Sequence, residues 1–255
     1  MEPDSLPSGA QWTVLGTGDP VTLVVPGLGA TRGEARIPAS GLRGTRVVVT
    51  LPGHGAAPDA PAGYWNYGRI AEDVLAVADR VGADRAVGVS LGAGALTALA
   101  ARSPRRFERL ALLLPATLDR PREAPAGSAL TRLADAVDAA DSDNGAELRR
   151  LVDADVPDGT DVGDYVHRRA EALLRLGGAL RTLPEQSAVA DAAPLVTTET
   201  EVLVVAATDD PLHPTETAKA TAAAFGRSRL EVLPSSAPLL THRRELRTLL
   251  TSFLA

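Results

Sequence analysis

Short apolar runs alternate with helical patterns along most of the chain. Runs that predict buried strands lie at 21–25, 46–50, 85–89, 110–114, 202–206 and 230–233. Segments between and after them carry apolar residues at helical spacing, and they predict helices at 70–81, 91–102, 214–225 and 243–254. Strands that read as unbroken apolar runs are buried on both faces. The alternation therefore predicts an α/β protein with a mostly parallel central sheet flanked by helices.

The segment from 118 to 200 departs from this alternation. It has no run that predicts a strand, but it has helical patterns separated by turn signals at 142–145, 157–159 and Pro184. We interpret 1–117 and 201–255 as one core domain, and 118–200 as a helical insertion that caps the ends of the strands. The same pattern also fits extra helices that pack on one face of the sheet without a capping role.

The charge balance and composition exclude several classes of function. The 26 Lys and Arg residues stand against 32 Asp and Glu residues, which gives a net charge of −6. This balance disfavours a nucleic acid or an anionic membrane as partner, because such binding requires a basic face. The absence of cysteine excludes disulfides, thiolate metal sites and cysteine nucleophiles. The four histidines are dispersed and do not show the spacing of metal ligands, so we expect no metal.

The N-terminal segment and the hydropathy of the chain bear on its location. The sequence MEPDSLPSGA has neither the basic nor the apolar region of a secretion signal. No stretch approaches the roughly 18 apolar residues that a membrane span needs. We therefore expect a cytoplasmic protein, and the sequence does not indicate its oligomeric state.

A Gly-x-Ser-x-Gly sequence at 88–92 connects the strand predicted at 85–89 with the helix predicted at 91–102. A sharp turn between a strand and a helix strains the backbone of the serine, and it needs small neighbours such as Gly88, Gly92 and Ala93. The turn also places Ser90 at the N-terminus of a helix, where developing negative charge is stabilised. The motif predicts that Ser90 is a nucleophile.

With this motif, the chain resembles the α/β-hydrolase fold superfamily, in particular small lid-bearing esterases and lactonases of GC-rich bacteria. The segment 23–30 is similar to the family's oxyanion loop after its third strand, and 51–55 (LPGHG) is similar to the turn after its fourth strand. The segment 202–214 is similar to the strand and loop that carry the catalytic acid. The resemblance implies a helical cap between the sixth and seventh core strands, a Ser-His-acid triad and no cofactor.

The resemblance leaves two candidates for the acid. In the family pattern the acid directly precedes a proline, which selects Asp210 and makes Asp209 a neighbouring residue. Some members carry their acid after an earlier strand, and Asp119 follows the strand predicted at 110–114. Asp210 is the favoured acid, and Asp119 remains an alternative.

The position of the base departs from the family pattern. The family's histidine follows the last strand, and Pro238 stands at that position here. We predict that His242, one helical turn later, is the base, because residues four apart share a helix face. His242 could instead cap the final helix. His54 lies in the LPGHG turn, where a structural role is more common, His167 lies in the insertion, and His213 follows the acid too closely to accept its hydrogen bond easily.

Four residues are candidates for oxyanion or substrate binding. The family's usual His-Gly is replaced by Pro26 and a glycine, but the oxyanion donors that the resemblance implies are the backbone N–H groups of Leu28 and Leu91. Tyr64 and Trp65 precede a helix in a segment that runs near the mouth of the site in this fold. Their rings could line a substrate pocket or could anchor the start of the helix by burial.

These residues together predict a serine-dependent hydrolase or acyl transferase. Ser90 would attack the carbonyl of a small ester, lactone or thioester, His242 would move the proton, and Asp210 would orient the imidazole.

Other functions compete with hydrolysis. Pro26 and Pro238 stand where the family normally has histidines. They motivate a non-hydrolytic lyase or cyclase of natural-product tailoring, or a catalytically silent binding protein. A nicotinamide cofactor is disfavoured, because Arg32 stands where the third glycine of a Gly-x-Gly-x-x-Gly motif would be required.

Overall fold

The central sheet has seven strands in a computed structural model that describes residues 4–255. Residues 1–3, the start of the N-terminal segment in which we expect no secretion signal, lie outside the described residues. The strands are Gln11–Leu15 (β1), Val21–Val25 (β2), Thr45–Thr50 (β3), Arg85–Val89 (β4), Arg109–Leu113 (β5), Glu201–Ala207 (β6) and Ser228–Leu233 (β7). Their order is β1-β3-β2-β4-β5-β6-β7. Only β1 runs antiparallel to its neighbour, which confirms the predicted α/β class.

The edge strand β1 was not predicted from the sequence. Of its five residues only Trp12 is buried, and Val14 is half-exposed. An edge strand that is covered on one side does not need a continuous apolar run. The strand therefore lacks the pattern by which the six other strands were predicted.

Two apolar layers cover the two faces of the sheet. Alternate residues of the central strands, such as Leu23 and Leu112, pack under Tyr67–Val81 (α2), Leu91–Arg102 (α3) and Thr215–Ala224 (α9). The intervening residues, such as Val87 and Val205, pack on the other face against Arg243–Phe253 (α11). Arg32–Arg36 (α1) covers β2 and β3 on that second face. None of the helices within residues 4–255 combines the length and the apolar composition needed to cross a bilayer.

A helical segment separates β5 from β6. It contains α-helices at Ala126–Asp138 (α4), Ala140–Asp143 (α5), Ala146–Ala154 (α6), Tyr165–Leu173 (α7) and Gly177–Thr182 (α8), and 3-10 helices at Leu183–Glu185 and Ala193–Thr197. A further short helix, Pro238–Thr241 (α10), precedes α11. The resemblance implied an insertion between the sixth and seventh strands. In the described residues one strand, not two, precedes β2. The family's sixth and seventh strands therefore correspond to β5 and β6 here.

The helical segment is attached to the loops at the carboxyl ends of β2 and β3. Arg175 donates hydrogen bonds to the carbonyl oxygens of Gly55 (3.1 Å) and Ala57 (2.9 Å) and binds the carboxylate of Asp59. Leu173 packs against Gly29 of the loop after β2. These contacts hold the segment beside the carboxyl ends of the strands, where ligands bind in open parallel α/β sheets.

Candidate active site

Ser90 lies in a tight turn between β4 and α3. Its backbone has φ +50° and ψ −104°, and its N–H donates a 2.9 Å hydrogen bond to the carbonyl oxygen of Leu113. A Cβ atom on Gly88 would lie 2.5 Å from the carbonyl carbon of Gly92, and one on Gly92 would lie 2.7 Å from that of Val25. The turn therefore requires glycine at both positions, as the sequence motif predicts.

His213 connects Ser90 to Asp210. Its Nε2 lies 2.8 Å from the Ser90 hydroxyl oxygen, and its Nδ1 lies 2.7 Å from Asp210 Oδ2. The side chains of His213 and Asp210 are 13% and 8% exposed. A proton on Nδ1 is donated to the carboxylate, which leaves the Nε2 lone pair for the serine hydroxyl. This is the hydrogen-bond arrangement of a Ser-His-Asp triad.

The structure does not bring His242 to Ser90, and this corrects its predicted placement. His242 is half-exposed at the junction of α10 and α11, and its Nδ1 lies 2.9 Å from the Thr241 hydroxyl. It is not among the residues that line the cavity in the described part of the chain. The physical reason is that α10 ends after four residues, and the backbone of His242 leaves the helical conformation there. Pro238 lines the cavity instead.

The expectation that His213 lies too close to the acid is also wrong. The second carboxylate oxygen of Asp210 accepts hydrogen bonds from the backbone N–H groups of Leu212 (2.9 Å) and His213 (3.1 Å). These bonds curl the loop, so that the imidazole returns to the other oxygen of the same carboxylate. The available signal was an Asp and a His three residues apart directly after a buried strand, since a tight turn brings such side chains together.

Asp210, not Asp119, lies beside the histidine. Burial raises the pKa of Asp210, but the adjacent His213 ring and the two backbone amides outweigh burial, and the pKa falls below its ordinary value. Asp210 is therefore ionised at neutral pH. Asp209 lines the cavity, and its backbone has φ +57°. Asp119 is exposed and is not among the lining residues within 4–255.

A cavity of about 420 Å³ opens beside Ser90. Most of its wall is aliphatic and comes both from core loops and from the helical segment: Leu28, Leu91, Leu239 and Leu240 from the core, and Leu130, Leu133, Val152 and Leu183 from the segment. Arg169 and Glu34, 3.7 Å apart, form an ion pair in the same wall. Within residues 4–255, no group of three or more His, Asp or Glu side chains is arranged to hold a metal ion.

Tyr64 and Trp65 do not line this cavity in the described residues. Tyr64 is buried, and its hydroxyl donates a 2.8 Å hydrogen bond to Asp73. Trp65 packs edge-on against Tyr64 and His54, and its carbonyl oxygen accepts a hydrogen bond from Gln186. Both rings therefore pack against the loops on the side away from the cavity. Of the two roles that the sequence allows, anchoring by burial fits them better than lining a pocket.

Leu28 and Leu91 both lie at the cavity beside Ser90. A Cβ atom on Gly27 would lie 3.6 Å from the Cβ of Ser90, so the loop after β2 passes close to the serine. Within residues 4–255, the backbone N–H groups of Leu28 and Leu91 have no hydrogen-bond acceptor in the protein. Both amides are therefore unpaired within the described part of the protein, at residues that line the cavity beside Ser90.

His54 is buried below this loop, with 2% of its surface exposed. Its Nε2 accepts a 2.8 Å hydrogen bond from the Gly29 N–H, and its Nδ1 lies 3.1 Å from the carbonyl oxygen of Pro52. Burial, together with the nearby cations of Arg169 and Arg175, lowers the pKa of His54 to about 4, although the hydrogen bond to the Pro52 carbonyl oxygen acts in the opposite direction. His54 is therefore neutral at neutral pH, with its proton on Nδ1.

The buried state of His54 predicts a loss of stability in acid. Between its folded pKa of about 4 and its ordinary value of 6.5, the unfolded chain binds one more proton than the folded chain. The free energy of unfolding should therefore fall by up to about 3 kcal/mol through this group as the pH decreases through that interval. Denaturant unfolding of wild type, His54→Gln and the half-exposed control His242→Gln measures the effect. Equal pH dependence in the wild type and His54→Gln would contradict it.

Comparisons with known proteins find solved structures that share this fold. No curated protein sequence matches the chain significantly. The chain is similar in fold to a hydrolase from Pseudomonas aeruginosa (TM-score 0.76, 22% identity, covering 96% of this chain and 94% of that one). It is also similar to an esterase from Exiguobacterium antarcticum (TM-score 0.74, 17% identity, 96% and 95% coverage). An enol-lactonase from Burkholderia xenovorans has a TM-score of 0.70 at 19% identity, with 96% of each chain covered.

The sequence model of the alpha/beta hydrolase family matches residues 22–247, which include every residue of the Ser90, His213 and Asp210 arrangement. The match covers most of the chain. The chain belongs to the alpha/beta hydrolase family.

Proposed function

We propose that this protein is a serine hydrolase in which Ser90 is the nucleophile, His213 the general base and Asp210 the residue that orients His213. The observation that carries the proposal is the unbroken chain of hydrogen bonds, 2.7 Å and 2.8 Å long, from Asp210 through His213 to Ser90. An unassisted serine hydroxyl is a poor nucleophile at neutral pH, and a neutral imidazole within hydrogen-bond distance activates it.

The reaction follows from the positions of these atoms. The Ser90 oxygen forms a bond to the substrate carbonyl carbon while its proton passes to His213 Nε2. The amides of Leu28 and Leu91 stabilise the resulting oxyanion. His213 then protonates the leaving alcohol or thiol, the bond to it breaks, and an acyl-enzyme remains. A water molecule then attacks the acyl carbon while His213 takes its proton. The bond from the acyl carbon to the Ser90 oxygen breaks as His213 returns the proton to that oxygen, and the acid product is released.

The cavity supports a small substrate with an aliphatic part. Its volume of about 420 Å³ and its aliphatic wall suit an ester, lactone or thioester of modest size. We propose that residues 118–200 form a cap over the site, since α4, α6, α7 and α8 contribute part of the wall. Exclusion of water by such a cap would strengthen the interactions that stabilise the oxyanion.

Labelling with a fluorophosphonate probe tests the role of Ser90. We expect the probe to label wild type at Ser90 and not to label Ser90→Ala, and we expect wild type to hydrolyse members of a panel of p-nitrophenyl esters, lactones and thioesters. Ser236→Ala is the matched control, because Ser236 lines the same cavity and should be dispensable. Labelling of Ser90→Ala at the wild-type rate would remove Ser90 from the mechanism.

A lyase, a cyclase or a silent binding protein is the less supported function. These alternatives rest on proline at positions 26 and 238, which leaves the family's usual histidine positions without a base. His213 at 2.8 Å from Ser90 supplies a base from another position, so the proline at 238 no longer argues against hydrolysis. Turnover that survives in Ser90→Ala but is lost in His213→Ala would favour a lyase or cyclase.

A further inference from the structure

The loop that carries Leu28 is a tight turn of residues 27–30. The Ala30 N–H donates a 3.2 Å hydrogen bond to the Gly27 carbonyl oxygen, and Gly29, the third residue, has φ +67°. A positive φ at the third residue is typical of a type II turn. In a trans peptide the N–H points away from the carbonyl oxygen. The bond from Ala30 to Gly27 therefore also sets the direction of the Leu28 N–H.

A second bond fixes the central peptide of this turn from outside. The peptide between Leu28 and Gly29 can rotate when a turn changes type, and its N–H is the group that His54 Nε2 accepts at 2.8 Å. Without that acceptor the Gly29 amide would be buried and unpaired, which is costly enough to favour a different loop conformation. His54 thus opposes rotation in the peptide adjacent to the Leu28 amide.

His54 is itself held rigidly. Its Nδ1–H is donated to the carbonyl oxygen of Pro52, and its ring meets Trp65 edge-on with the ring centres 6.1 Å apart. The Trp65 ring packs in turn against buried Tyr64, at 5.2 Å between ring centres. The turn after β3 and these aromatic side chains together form a support for the loop after β2.

We propose that His54 is a positioning residue for oxyanion stabilisation: through the Gly29 amide it holds the loop in the conformation in which the Leu28 N–H faces the reacting carbonyl oxygen. His54 does not touch the substrate. This role presupposes the hydrolase activity proposed above. Oxyanion donors act by being held in place before the charge develops, so a loosened donor lowers the rate more than it weakens substrate binding.

Substitution of His54 tests the role. His54→Phe keeps a ring but removes the acceptor, and we expect kcat for an ester to fall about 10- to 100-fold with KM within about twofold. The affinity for a trifluoromethyl ketone, which forms a tetrahedral adduct with Ser90, should fall by the same factor. His54→Gln keeps a neutral acceptor and should recover most of both losses. His242→Phe, at a half-exposed histidine, is the control and should behave as wild type.

Two outcomes would overturn the proposal. One is a folded His54→Phe protein with wild-type kcat and wild-type affinity for the ketone, even if its melting temperature is lower. If His54→Phe does not fold, the contact is tested in wild type by the nitrogen–nitrogen scalar coupling across the Gly29 N–H···Nε2 bond, and absence of the coupling is the second such outcome. Failure of the hydrolase proposal is separate: wild type would then show no turnover and no Ser90 labelling while the coupling is present.

Discussion

Replacing His213 with alanine is expected to lower kcat for ester hydrolysis by at least about 10⁴-fold, because in serine hydrolases loss of the base costs about as much as loss of the nucleophile. KM should change much less, since the His213 ring acts on the proton of Ser90 rather than on the bulk of the substrate. Steady-state kinetics on an ester panel and the rate of fluorophosphonate labelling measure the effect. The melting temperature of each variant reports whether it is folded.

His242→Ala is the matched control for this experiment. His242 is half-exposed, contacts Thr241 and is not among the cavity-lining residues of the described chain, so its loss should leave kcat within about twofold of wild type. The opposite pattern, with His242→Ala inactive and His213→Ala active, would restore the base that the sequence alone favoured. It would also mean that the bond from His213 to Ser90 has no role in the reaction.

Gly92→Ala is expected to destabilise the fold by more than about 3 kcal/mol, or to prevent folding, because the added Cβ overlaps backbone that cannot move away. That Cβ would lie 2.7 Å from the carbonyl carbon of Val25 and would overlap the Val25 carbonyl oxygen. Val25 ends β2, which pairs with β4 immediately before the serine turn, so relief of the clash would separate two central strands.

Gly178→Ala provides the comparison within the same chain. Gly178 lies in α8, and a Cβ there would meet only the Trp65 side chain, at 3.9 Å. Alanine is a better helix former than glycine, so this variant should be neutral or slightly more stable than wild type. Chemical denaturation of both variants measures the difference. A Gly92→Ala protein as stable as Gly178→Ala would show that the turn has room for a side chain.

Some elements were predictable because their pattern is local. The strand at 85–89 is buried on both faces at four of its five residues, and an apolar run of that kind has few other structural meanings. The edge strand β1 was not predictable in this way, because Trp12 alone is buried within it. The helices of 118–200 were predicted as a class, but the sequence did not establish that Leu130, Leu133 and Val152 line the same cavity as Ser90.

The predictions for the aromatic residues and the base failed for a common reason. Both depended on the direction in which a loop side chain points. The Tyr64 hydroxyl binds Asp73 and the Trp65 ring packs against Tyr64, both away from the cavity, and no periodicity in the sequence records that direction. His242 was placed by its distance along the chain from Pro238, and the early end of α10 invalidates that estimate.

Chain pattern alone determined the α/β class and the serine turn, since each depends on residues that are neighbours in sequence, and the family resemblance added Asp210 as the favoured acid. The tertiary structure decided which histidine meets Ser90. In the sheet, β5 separates β4, which ends one residue before Ser90, from β6, which leads to Asp210. Two strand spacings, about 10 Å, must therefore be bridged. His213 bridges that distance because the Asp210 carboxylate binds two backbone amides and curls the loop back toward the serine.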